Sequence, residues 1–465
     1  MTDTSDLSTI SGPIPTVPGA LPLLGHLPQL LRDPLGFFAS LPAHGDLVAV
    51  RIGRAEAVVV CDPGLVREIL QNDQIFDKGG FFFDRVRAES FELLRAEGSS
   101  DGLFTVTHSG GHRSQRRLLQ PAFRAGRIPR YGQSMTDEIV SVTDEWRDGQ
   151  SLDVFVEMST ITSNVLAATV LSDALTPVKR RQAIADVVTV TGEIYRRMLL
   201  PSLLNRLPTP GNRRFRRASD RLLQYMGGVI ADRRTSDIDH GDLLSVLLAT
   251  RDSEDGDRGL SDADILQQVV TFFGAGMETT AATLAWAWWL LAQHPEIEEA
   301  LHAEVDAVLA GRTAEHSDIP QLALTGRIIT ETLRLWPPAW MFPRRTTVDT
   351  RLGGYPLLEG TTIVYSPYLV HRRADLYEEP DRFDPDRWLP ERVAPRDALI
   401  PFGGGARKCI GHNFAFTEAV LALATIASRW RLQAPPGHRM KPKLGVVLIP
   451  QGLQLTATRR RSHER

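Results

Sequence analysis

The sequence predicts a mostly α fold with small β-sheets, an α+β arrangement built as one large unit. A helical apolar pattern of about thirty residues begins after Ser261 and ends before Pro295, and at 1.5 Å per residue it would extend roughly 45 Å and cross the molecule. Strand-like stretches are few and short: Leu47 to Ile52, Ala57 to Cys61, Thr361 to Tyr365 and Gly445 to Pro450. The 465 residues would suit about three ordinary domains, yet no low-complexity linker divides them and no internal repeat is visible. We expect a polar tail over 1–12, a single unit over 13–457 and a basic tail over 458–465.

Composition sets the bounds. Hydrophobic residues make up 42% and charged residues 23%, with a formal net charge of −3, which is an ordinary globular balance with no pull toward nucleic acid. Only Cys61 and Cys409 are present, too few for a disulfide framework, so a reducing cytoplasm is the expected compartment. Residues 1–12 lack the basic start and apolar run of a signal peptide. Pro13, Pro15, Pro18, Pro22, Pro28 and Pro34 punctuate the next segment, whose apolar runs fall far short of the ~18 residues of a membrane span. No transmembrane anchor is expected, and a monomer is.

The elements follow in order. Arg54 to Asp62 reads as part of a small sheet near the N-terminus. Ser261 is a suitable N-cap for the long helix, with Asp264 three residues on to complete a capping box. Glu278, Thr279 and Thr280 interrupt its apolar pattern, so a central buried helix is a better reading than a membrane span. Within it, Ala275 and Gly276 leave room for a ligand, Glu278 can relay protons, and Thr279 can both donate and accept hydrogen bonds. Standing alone, this stretch would more often be a solvated acid beside structural threonines. A second helical run, Leu322 to Trp336, stops at Pro337 and Pro338 and places Glu331 and Arg334 on one face. Turns and strands fill the region between Trp336 and Pro401.

The most specific chemistry lies in Phe402-Gly403-Gly404-Gly405-Ala406-Arg407-Lys408-Cys409-Ile410-Gly411. From Asn413 onward the residues are helix formers, so Cys409 sits near a helix N-terminus, whose free N–H groups and dipole stabilise an anion and lower a thiol's pKa. The glycines allow close approach of a flat ligand to the main chain. Arg407 offers a fixed cation to a carboxylate, and Phe402 can shield the sulfur.

This loop resembles the haem-ligand loop of the cytochrome P450 family, the haem-thiolate monooxygenases, with every defining position filled. The resemblance implies the fold of that family, with haem between the long central helix and the cysteine-ligand loop, and haem b as cofactor. It makes Cys409 the axial ligand, Arg407 a propionate ligand, Phe402 the neighbour of the sulfur, and Gly411 part of the cofactor loop. Ala275-Gly276-Met277-Glu278-Thr279-Thr280 is similar to the family's oxygen-activation motif, with glutamate at the acidic position; this implies proton delivery by Glu278 and Thr279 beside a pocket bordered by Ala275 and Gly276. Glu331-Thr332-Leu333-Arg334 resembles its Glu-x-x-Arg motif, with Phe383-Asp384-Pro385-Asp386-Arg387 supplying the third member of a structural triad, Glu331, Arg334 and Arg387. His112 and Arg116, one helical turn apart, and Arg344 match further propionate ligands, with Arg345 the alternative to Arg344.

What varies among members is the substrate cavity. Phe81, Phe82, Phe83, Phe272, Ala275, Ala339 and Trp340 form an apolar set of candidate lining residues, each with ordinary core packing as its bland alternative. Tyr195-Arg196-Arg197-Met198, Arg206-Leu207-Pro208, Asn212-Arg213-Arg214-Phe215 and Tyr365-Ser366-Pro367-Tyr368 are similar to bacterial terpene-oxidising members. The resemblance implies hydroxylation, or repeated oxidation, of a cyclic sesquiterpene such as pentalenene, as in terpenoid antibiotic biosynthesis. Monooxygenation of a polyketide, fatty acid or other small molecule, a peroxide-driven enzyme, and a non-catalytic haem-thiolate protein are the alternatives. Electrons are expected from NAD(P)H through a ferredoxin and ferredoxin reductase, with Arg113, Arg117 and Lys408 as a basic docking face or an ordinary solvated surface.

Overall fold

The computed structural model describes residues 12–80, 83–84, 103, 107, 109–172, 174, 176–199, 202–236, 238–252, 258–392, 398–435, 437–438 and 440–460. Helices carry most of it. The long helix is Asp262–Gln293, 32 residues, and starts with the expected capping box between Ser261 and Asp264. Its middle is buried on nearly every side, as its sparse polarity requires.

Val154–Leu171 lies along this central helix, and Thr162 Oγ1 donates to the Met277 carbonyl at 2.9 Å across the contact. By length and composition Val154–Leu171 is apolar enough to cross a membrane; 61% of it is buried, as in a core helix. Ala323–Leu335 and His412–Arg429 pack on other parts of the central helix. Trp286 of the central helix stacks on Trp336 with centroids 3.9 Å apart, and its indole N–H donates to the Leu448 carbonyl at 3.0 Å. These contacts hold the helix from the side of the sheets.

The main sheet orders its strands Leu47–Ile52, Ala55–Val60, Thr362–Tyr365, Phe342–Thr346 and Phe76–Asp77, with only the second and third pairing in parallel. Three of the expected strands are therefore present within two residues of their expected limits. The fourth is corrected: residues 445–447 turn between strands Lys441–Leu444 and Leu448–Gln451, so the hairpin bend falls inside the apolar run that suggested one strand. Phe342–Thr346 carries two consecutive arginines and gave no apolar alternation to announce it.

Candidate active site

The cysteine loop is built against the helix Pro63–Gln71. Gly403 and Gly405 have φ of +67° and +62°, and a Cβ on Gly405 would lie 1.8 Å from the Leu70 carbonyl oxygen. The close approach that the glycines were expected to offer a flat ligand is thus made, at Gly405, by backbone of the same chain. The Cys409 N–H donates to the Phe402 carbonyl at 2.9 Å, closing the loop, while Phe402 packs half-buried beside His412. Gly411 caps His412–Arg429, and its N–H donates to the Cys409 sulfur.

Cys409 and Lys78 lie deep inside the protein and still keep accessible surface, as side chains lining an internal cavity do. The thiol's pKa is a correction. Burial raises it above the ordinary value, outweighing the Gly411 N–H and the nearby cations Arg116, Lys408 and Lys78. The helix N-terminus acts in the expected direction and loses to desolvation.

Around the loop, basic groups outnumber acids. Arg344 is 4% exposed and donates to its neighbour's carbonyl at 2.9 Å and to the Tyr365 hydroxyl at 3.2 Å. Strand alternation turns the next residue outward, where Arg345 pairs with Asp84 at 3.2 Å. Arg407 pairs with Asp77 and donates to the Thr107 carbonyl at 3.2 Å. Arg116 donates to the Lys408 carbonyl at 2.5 Å. Burial holds Lys78 well below the usual lysine range, with Arg344 and Arg407 acting in the same direction.

His112 is buried, and its pKa falls to about 3 through burial and the surrounding Arg407, Lys78, Arg116 and Arg344. Its Nδ1 has no hydrogen-bond partner among the described residues. A neutral imidazole with an orphaned nitrogen, inside a cluster of cations opposed by Asp77, is costly unless an anionic, hydrogen-bonding group completes it. The two carboxylates of haem fit that requirement, and the accessible Cys409 sulfur fits its iron.

On the central helix, Ala275 is exposed and Thr271, Gly274, Gly276, Glu278 and Thr279 keep accessible surface between the buried Phe272, Phe273, Met277 and Thr280, with Thr271, Ala275, Glu278 and Thr279 at the three- and four-residue spacing of one face. Thr279 Oγ1 donates to the Ala275 carbonyl at 2.7 Å. Burial raises the Glu278 pKa, opposed by Lys443 from the C-terminal hairpin. A Cβ on Gly276 would lie 3.1 and 3.2 Å from the Leu166 methyls, so its smallness serves packing against Val154–Leu171, while the residue itself keeps accessible surface. Phe123 links helix and loop, edge-on to Phe272 with centroids 5.1 Å apart and 3.8 Å from where a Cβ on Gly411 would lie.

The triad residues are brought together. Arg334 makes two bonds to Glu331, 2.8 and 2.7 Å, with both side chains fully buried, and Arg387 Nε lies 3.5 Å from the same carboxylate. Sequence reasoning missed Trp388, whose indole N–H donates to Glu331 at 2.8 Å, and the carbonyls of His371, Pro380 and Arg382, which take the remaining Arg334 donors. It also missed Lys78 and Asp77; their adjacency to Gly79-Gly80 was the available signal, and a weak one.

The candidate pocket residues divide. Ala275 and Ala339 retain accessible surface. Phe83 is buried under the Lys78 ammonium, 5.4 Å from the ring centroid, and Phe272 is buried against Phe123. Trp340 is buried in a second core, edge-on to Phe38 with its indole N–H on the Gly445 carbonyl at 3.1 Å. These contacts are the ordinary packing that stood as the alternative for Trp340. Phe81 and Phe82 lie outside the described residues.

Comparison with known proteins agrees with this geometry. The family described as Cytochrome P450 matches residues 15–457. Pentalenene oxygenase of Streptomyces avermitilis is 46% identical over 96% of this chain and 97% of its own length. Cyclooctat-9-en-7-ol 5-monooxygenase of Streptomyces melanosporofaciens is 46% identical over 91% of this chain and 90% of its own. A crystal structure of the cytochrome P450DA haem domain superimposes with a TM-score of 0.85 at 28% identity, covering 98% of this chain and 99% of that one. Haem, dioxygen and an external electron supply come with such a family, and a monooxygenase activity with such relatives. The chain belongs to the cytochrome P450 family and is a cytochrome P450 monooxygenase.

Proposed function

We propose that this enzyme hydroxylates a cyclic sesquiterpene such as pentalenene, in one or repeated oxidations within terpenoid antibiotic biosynthesis. The observation that carries the reading is the 46% identity to pentalenene oxygenase across nearly the full length of both chains. The accessible surface of Ala275 and Ala339 is in keeping with an apolar substrate.

When bound, haem b supplies dioxygen binding and O–O cleavage, with electron density donated by the Cys409 thiolate. His112, Arg116, Arg344, Arg407 and Lys78 would hold its carboxylates, Phe402 would shield the sulfur, and the Gly411 N–H donates to it. The small side chain of Ala275 would leave room for the group. Glu278, which burial holds toward its protonated form, would be the proton source, and Thr279 would relay the proton by accepting on a lone pair and turning its own O–H away from the Ala275 carbonyl to which it now donates. Residues 13–457 act as one haem-binding unit, in the cytoplasm and as a monomer. NAD(P)H supplies electrons through a ferredoxin and its reductase, docked near Arg117, Lys408 and Arg113, the last already paired with Asp73 at 2.9 Å.

The test is turnover of a terpene panel with NAD(P)H, ferredoxin and reductase, beside peroxide alone. A sesquiterpene should shift the Soret band toward the high-spin form and yield an oxygenated product only with the electron-transfer proteins. If sesquiterpenes do neither while a macrolide or fatty acid does both, the substrate reading is lost.

A further inference from the structure

Along the acid–alcohol stretch of the central helix, every second carbonyl takes a side-chain hydroxyl. Thr279 Oγ1 donates to Ala275 at 2.7 Å, Thr162 Oγ1 to Met277 at 2.9 Å and Thr283 Oγ1 to Thr279 at 3.0 Å. The first and last of these bonds run four residues back within the helix, so they can bend it but tie it to nothing else. The middle one comes from another helix, Val154–Leu171, 115 residues earlier in the chain. Thr162 is fully buried and Met277 nearly so, and water cannot replace the bond.

The donor helix is specific about this contact. Its Ser159, Thr160, Ser163 and Thr169 hydroxyls donate to carbonyls of their own helix, at 2.7, 3.0, 2.6 and 2.8 Å. Thr162 Oγ1 also lies 3.3 Å from the Ser159 carbonyl, but a hydroxyl has one proton, and the shorter contact is the one to Met277. Leu166 stands one turn further on the same face, with its methyls 3.1 and 3.2 Å from where a Cβ on Gly276 would lie. Thr162 and Leu166 therefore hold two consecutive residues, Met277 and Gly276, which are the two that separate exposed Ala275 from Glu278. One is held by a hydrogen bond along the axis, the other by packing across it.

We propose that Thr162, backed by Leu166, is a positioning residue for oxygen activation. A helical carbonyl that takes a second donor tilts away from the axis toward it. Drawing the Met277 carbonyl toward Val154–Leu171 sets the turn that carries Glu278 and Thr279, and a proton passes only between groups held within hydrogen-bond reach. The inference rests on the proton-delivery role given above to Glu278 and Thr279, and it does not depend on which substrate is used.

The test compares Thr162→Val, which keeps the shape and loses the hydroxyl, with Thr162→Ser, which keeps the hydroxyl, in the haem-loaded full chain. Thr169→Val is the control, since it removes a buried hydroxyl of the same helix that bonds only within that helix. Thr162→Val should speed amide hydrogen exchange across 275–283 by about fivefold, the change in local opening that one ordinary hydrogen bond controls, and leave 412–429 unchanged. The C–O stretch of its reduced carbon monoxide complex should shift and broaden. Cumene hydroperoxide then reads O–O cleavage without any terpene: the ratio of cumyl alcohol, from heterolysis, to acetophenone, from homolysis, should fall as it does in Thr279→Ala. Thr162→Ser and Thr169→Val should match wild type in all three measurements. Unchanged exchange or an unchanged stretch in Thr162→Val, equal changes in Thr169→Val, or a serine variant that behaves like the valine one would each overturn the proposal. A ratio that falls in Thr279→Ala and not in Thr162→Val would sink the positioning role and leave proton delivery standing, whereas a ratio that falls in neither would sink both.

Discussion

At the scale of single residues, Cys409 is decided by competition between a helix terminus and burial. Burial wins for the free thiol, and a coordinated metal would offset it by favouring the ionised sulfur. Cys409→Ser should therefore lose the thiolate-type Soret band of the reduced carbon monoxide complex; an unchanged band in that variant would remove the ligand assignment. Thr279→Ala should retain haem and substrate binding while product formed per NAD(P)H falls and peroxide rises, since a methyl cannot pass a proton; equal coupling in the two proteins would count against the role. Gly405→Ala tests the loop itself. A left-handed φ costs an alanine about 1–2 kcal/mol, and the backbone must also move away from Leu70, so urea unfolding should show a loss of at least about 2 kcal/mol.

At the scale of elements, the Glu331–Arg334 pair ties a helix to the chain that follows it. Every Arg334 donor group is engaged, and Glu331 accepts from Arg334, Arg387, Trp388 and the Asp384 N–H. Arg334→Ala should cost about 3–5 kcal/mol and haem retention with it, because a fully buried carboxylate loses its main counter-charge. Trp388→Phe removes one hydrogen bond and should cost about 1 kcal/mol, read as a shift in the urea midpoint. The Glu-x-x-Arg spacing was legible because residues three apart share a helix face. The carbonyls that complete it were not, since they come from 37 to 48 residues away along the chain.

For the whole molecule, His371 couples folding to pH. Its Nδ1 lies 3.0 Å from the Arg334 carbonyl and its Nε2 accepts the Ile400 N–H at 2.9 Å, so the imidazole is held neutral in one tautomer. Burial and the nearby Arg334 and Arg372 lower its pKa to about 3. Because the folded value lies below the unfolded one, the contribution is full above about pH 6.5 and is lost as pH falls from there toward 3. Glu418 works in the opposite sense: burial raises its pKa, so its neutral form favours folding at low pH and stability declines as pH rises above the unfolded carboxyl range near 4.3. Unfolding free energies measured from pH 4 to 8 should show a shallower acid slope in His371→Gln and a smaller alkaline decline in Glu418→Gln, and wild-type slopes in both variants would refute the assignment.

What the sequence determined by itself was whatever is local: the 32-residue helix and its Ser261 cap, the cysteine at a helix start, the acid–alcohol pair, and a helix face shared by Glu331 and Arg334. Each is set by spacing over a few residues, where backbone geometry alone dictates which groups meet. The tertiary structure decided what depends on distant neighbours. It turned Arg344 inward and Arg345 outward, set Gly276 against Leu166 and Gly405 against Leu70, packed Trp340 against Phe38, and gathered Asp77, Lys78, His112, Arg116, Arg344 and Arg407 into one charged cluster. Burial is a property of the assembled chain, and it is burial that raised the pKa of a helix-start thiol and lowered that of Lys78 within a cluster of other cations.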